Sequence, residues 1–218
     1  MAESMGPSTD WLQLLLASWL DVALALCLGL IVLRGALAPA TVTRLPRLTR
    51  RIAWLLGLGL AGYLLVATQA MTEAGLDGLP AALWLVLNQT TFGITAWIAL
   101  AAWGLLILGT ARRGPARLQL LGAIALAYAV AAIGHVADHG LLSGAALVNT
   151  VHVLSAGAWA GSVALCVLFL RDWPAWSPPE RSALAHRLSW VATFAVPLVI
   201  ATGIANGVRM LAHATDPI

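Results

Sequence analysis

The chain has 218 residues, 61% of them hydrophobic and 10% charged, with a formal net charge of +3. A soluble domain carries about a quarter charged residues, so a water-soluble globular protein is excluded. A transmembrane barrel would show alternating segments of about 10 residues, and none is present.

The N-terminal MAESMGPSTD carries acids and no positive region. It does not read as a signal peptide, and the first apolar run is expected to stay as a helix. Six apolar runs follow, each long enough to cross a hydrocarbon core of about 30 Å. They cover approximately residues 11–33, 52–71, 84–108, 118–137, 147–170 and 188–211. The third opens near the polar turn Asn88-Gln89-Thr90-Thr91, and the sixth has Pro197 in its middle. The expected architecture is all-α: one polytopic domain, a bundle of six transmembrane helices.

The arginines orient it. The connections after spans one, three and five hold eleven of the twelve, from Arg34 through Arg187, and the opposite side holds only Arg209. Basic residues in short loops mark the cytoplasmic side. Both termini are therefore expected on the outer, periplasmic side. The same reading explains the basic balance without a nucleic-acid partner, leaving membrane lipid as the surrounding one. Trp11, Trp84, Trp173 and Trp176 sit near span ends as interfacial anchors should. Cys27 and Cys166 lie inside apolar runs, with no CxxC spacing and no disulfide framework.

This topology collects four of the five histidines at the outer face. His135 and His139 end span four, His152 lies about one turn inside span five, and His213 follows span six. An i, i+4 pair stacks two imidazoles on one helix face, a usual way to offer two nitrogens to one metal. Asp138, between them, can orient a ring or act as a ligand. His139 and Asp138 can equally be solvated loop residues. His135 and His152 lie deeper, where ionisable groups are rare and usually functional. Asn149 is one turn above His152 and Trp159 two turns below it. In span six, Thr202, Asn206, Arg209 and His213 follow steps of four, three and four along one face, a pattern that suits either a lined site or helix packing. Met210 offers a thioether near the outer face. Asp21 stands about 15 Å along the first helix from Trp11. A carboxylate at that depth is costly unless protonated, paired or hydrated, and it is a candidate for a pathway or for contact behind the ligands. No nucleotide-binding glycine fingerprint, P-loop, nucleophile elbow or HExxH occurs, so no enzyme is expected.

Several of these stretches resemble the copper-resistance protein D (CopD) family of bacterial inner-membrane proteins. Gly134-His135 with Ala137 is similar to that family's Gly-His-Ala element. The run from His152 through Trp159 to Gly161 resembles its His-Leu-x-Ala-x-x-Trp-x-Gly helix, and Thr202-Gly203-Ile204-Ala205-Asn206 its Thr-Gly-x-x-Asn-Ala stretch. Thr91-Phe92-Gly93 also looks like a family element that opens a helix. The resemblance covers about residues 88 to 210. It implies copper handling at the inner membrane beside a periplasmic copper carrier protein. His135, His139 and His152 would then be ligands, with Asp138, His213 or Met210 completing the shell. Imidazole suits copper and zinc alike, and it binds metal only when neutral. The alternative is a b-type cytochrome whose histidines on neighbouring helices hold haem b axially, with Trp159 beside the macrocycle.

Overall fold

The structure, a computed structural model, describes residues 7–42, 44–111, 115–132 and 143–215. Eight α-helices account for nearly all of them: α1 Pro7–Leu33, α2 Pro39–Val42, α3 Leu45–Thr72, α4 Leu79–Gln89, α5 Thr91–Gly109, α6 Ala116–Ala131, α7 Gly144–Phe169 and α8 Pro178–Thr215. No strand occurs among the described residues. Helices are the natural answer for such apolar runs, because a helix satisfies its backbone polar groups within itself and lipid offers none. Among the described residues, five stretches are long and apolar enough to cross a membrane: Trp11–Ala36, Leu45–Thr72, Thr91–Gly109, Gly144–Ala175 and Pro178–Ala212. The fourth expected span begins as α6, and its residues 133–137 lie outside the described residues.

The third expected span, 84–108, is broken. The chain leaves helical geometry at Thr90, with φ −124° and ψ 156°, and α5 starts only at Thr91. The Thr90 hydroxyl donates to the Val86 carbonyl at 2.7 Å and accepts from the Gly93 N–H at 3.0 Å. It thus closes α4 and caps α5 at once, as a threonine N-cap does. Gly93 is required there, because a Cβ would meet the carbonyl oxygens of Val86 and Leu87. A run that is apolar on both sides of the turn hides this joint from a hydropathy reading.

The core gathers α1, α3, α5, α6 and α7 around Leu24, Leu56, Leu106, Leu126 and Leu165, each essentially sealed from the surface. Two tryptophans tie neighbours to α3. The Trp19 indole donates to the Leu55 carbonyl at 3.0 Å and the Trp103 indole to Ala53 at 2.8 Å. α8 contributes only Leu184 to this core and rests chiefly on α7. Its first turn is closed by Glu180, whose carboxylate accepts from the Ser177 N–H at 2.7 Å and the Ser177 hydroxyl at 2.8 Å, a variant of the capping box.

The arginine-bearing connections meet at one end of the bundle. Arg34 shares a small pocket with Leu45, Gly109 and Gln119, and Arg44 pairs with Asp172 at 3.4 Å. That ion pair is exposed and contributes little stability, but it joins the connection after α1 to the one after α7.

The closest helix approach is between α1 and α7. A methyl at Gly161 would overlap the Ala25 carbonyl, and one at Gly29 would overlap the Gly161 backbone. Ala25 also faces Gly157. Pairs advance together along both chains, so α1 and α7 run parallel. Small residues four apart on both helices allow this contact. Gly161→Ala is expected to destabilise the fold by about 1–3 kcal/mol through overpacking. Gly104→Ala, with nothing within 4 Å of the added methyl, should be neutral or slightly stabilising; denaturant titration in detergent micelles compares the two.

Candidate functional site

Of the histidines predicted as ligands, His152 is the one whose side chain the structure describes. It sits in the first half of α7, partly buried, with Nδ1 2.9 Å from the Thr202 hydroxyl of α8. The Thr202 hydroxyl proton is already used: Oγ1 lies 2.5 Å from the Leu198 carbonyl and 3.2 Å from that of Val199. A hydroxyl has one proton to give, so Oγ1 accepts from His152. The network assigns the imidazole proton to Nδ1 and leaves the lone pair on Nε2. This is the arrangement by which a neighbour orients a ligand histidine. Gly203 lies beside the ring, whose Cε1 is 3.7 Å from where a Cβ would stand, an ordinary contact distance.

One turn nearer the start of α7, a second polar link joins three helices. Asn149 donates to the Ala131 carbonyl at the end of α6, 2.9 Å away. Asn206 of α8 donates to the Asn149 side-chain oxygen at 3.4 Å. The α8 stripe of Thr202 and Asn206 therefore faces α7 and lines the surroundings of His152, so packing and site-lining are one role here. Thr202, read from sequence only as one member of a stripe, is the residue that fixes the imidazole.

His135, Asp138 and His139 lie outside the described residues, as does the side chain of His213, whose backbone belongs to the last turn of α8. The chain enters the first three from Ala132, one residue past the carbonyl that Asn149 holds. Among the described residues no group of three or more His, Cys, Asp or Glu forms a metal site. Two further candidates stand apart. Met210 is 75% exposed on α8 and Trp159 is 40% exposed on α7, and neither lines the groove beside His152. Asp21, by contrast, does line it. This groove between α1 and α7 has a volume of ≈ 330 Å³, with Ala25, Ala156, Gly157 and Ala160 among its walls. Sequence alone does not join Asp21 to His152. The small-residue spacing at Gly157 and Gly161 is the signal that could have done so, since it brings α1 against α7.

Long apolar helices bridged by half-buried amides, a hydroxyl and an imidazole define an α-helical integral membrane protein. The chain belongs to the copper resistance protein D-like family, whose N-terminal domain matches residues 8–145. No curated protein and no solved structure is significantly similar to the chain. The match covers α1 to α6 and reaches His135, Asp138 and His139. The motifs around His152 and Thr202 fall beyond it, while the first two spans, which resemble the family only in type, fall inside.

The Thr202 bond has a direct spectroscopic consequence. Thr202→Ala is expected to release the Nδ1 tautomer of His152, and Thr202→Ser to preserve it. The nitrogen shifts of histidine-labelled protein in micelles report which nitrogen carries the proton.

Proposed function

We propose that the protein binds copper at the periplasmic face of the bacterial inner membrane and takes it up or passes it across, serving copper homeostasis and resistance. Family membership supports copper as the cargo. One observation carries the location: His152 is held by Thr202 one turn below the Asn149 link, which fastens the end of α6 from which His135 and His139 follow. The ligands are His135, His139 and His152, with Asp138 and His213 completing the shell. Asn149 and Asn206 tie α6, α7 and α8 together. Trp159 and Met210 remain at the lipid-facing margin.

Six spans with both termini outside fit this reading. The arginine-rich connections meet at the end of the bundle opposite the Asn149–Asn206 link, and basic loops face the cytoplasm. Imidazole nitrogen suits copper, and the Nδ1–H of His152, spent on Thr202, leaves one nitrogen for a metal. The protein acts as a carrier rather than an enzyme, and a periplasmic copper carrier protein delivers the ion.

Copper stoichiometry of the purified protein tests this. Wild type is expected to retain copper, and His135→Ala combined with His152→Ala to lose it. Acidification should strip the wild type, since only neutral imidazole binds. Unchanged stoichiometry in the double variant overturns the assignment. An intense Soret band in freshly purified protein would replace it with haem ligation.

A further inference from the structure

Asp21 stands close to the middle of the 27-residue helix α1. Its side chain is exposed on the bundle surface and makes no hydrogen bond or ion pair among the described residues. A carboxylate at mid-membrane depth cannot stay charged against lipid without hydration or a cation. It opens onto the same ≈ 330 Å³ groove as His152. The two groups come from helices that sequence separates widely and that the Ala25–Gly161 contact forces together. Small residues, Ala25, Ala156, Gly157 and Ala160, line much of the groove, with Val22, Leu24 and Val153 completing its walls.

His152 is also prepared for a ligand on that side of its chemistry. Thr202 holds Nδ1–H, and Nε2, which carries the lone pair, has no hydrogen-bond partner among the described residues. We infer that Asp21 and His152 form a second cation position within the membrane, in the groove between α1 and α7, that takes a divalent first-row transition ion. The donor pair is one carboxylate oxygen and one imidazole nitrogen. Carboxylate is a hard ligand and imidazole a borderline one, so the pair suits Cu²⁺ better than Cu⁺, which prefers sulfur. The ion's charge meets that of Asp21, which removes the cost of an isolated carboxylate in lipid. Water fills the remaining coordination positions, as the groove's volume allows. His152 belongs to both positions, so an ion can exchange the outer imidazoles for Asp21 without leaving His152.

This rests on the copper reading above, and the test separates the two. Cu²⁺ is titrated into the full chain in lipid nanodiscs, with bound metal counted by elemental analysis and its donors read by electron paramagnetic resonance. In His135→Ala/His139→Ala protein, one Cu²⁺ is expected to remain bound, more weakly than in wild type, with a single nitrogen donor. Adding Asp21→Asn, which keeps the shape and removes the charge, should weaken that binding at least tenfold, and Asp21→Glu should retain it. If the double-alanine protein binds no copper, or if Asp21→Asn leaves its affinity unchanged, the groove position is overturned, whatever the wild type does. If the double-alanine protein binds as tightly as wild type and Asp21→Asn abolishes it, the groove stands and the outer-face ligands fail.

Discussion

The backbone contact between α1 and α7 sets the rest of the arrangement. No side chain intervenes where Gly161 meets the Ala25 carbonyl, so the separation of the two helices is fixed by backbone thickness rather than by rotamers. In lipid, where apolar side chains gain nothing by leaving one apolar surface for another, such close approach is a main source of helix association. The seam also joins what the family match separates. α1 lies inside residues 8–145 and nearly all of α7 lies outside them, yet these are the helices in closest contact. The histidine of α7 is therefore positioned by a surface that the matched region supplies.

Three polar side chains are each used twice. Thr90 donates and accepts at the joint between α4 and α5. Thr202 donates to its own helix and accepts from His152. Asn149 gives its amide N–H to α6 and its oxygen to α8. This economy follows from the medium. An unpaired polar group in hydrocarbon costs several kcal/mol, whereas a pairing between helices returns only about 0.6 kcal/mol on average. Such bonds choose register and orientation more than they add stability. Register is what a ligand site needs, because an imidazole must present one nitrogen in one direction.

Much of this was legible in the residues themselves. Long runs of Leu, Ala and Val announce helices, and the polar spacing of Thr202 and Asn206 announces the face of α8 that meets α7. The arginine count anticipated that the connections after α1, α5 and α7 share one end, where Arg44 and Asp172 now pair. The break at Thr90 was less legible, because hydropathy averages across a single capped turn. So was the outward turn of Trp159: a motif position says nothing about which side of a helix faces neighbours. The pairing of Asp21 with His152 was invisible from either residue alone. It depends on which helices are neighbours, and that is decided by glycines more than a hundred positions from Asp21.

α8 has 38 residues, about 57 Å at 1.5 Å per residue, and it leans chiefly on α7. A helix that exceeds the local hydrocarbon thickness answers by tilting, and it tilts further as the bilayer thins. α8 carries Thr202, the group that holds the His152 ring. A thinner bilayer would thus tilt the helix on which the orientation of the His152 ring depends.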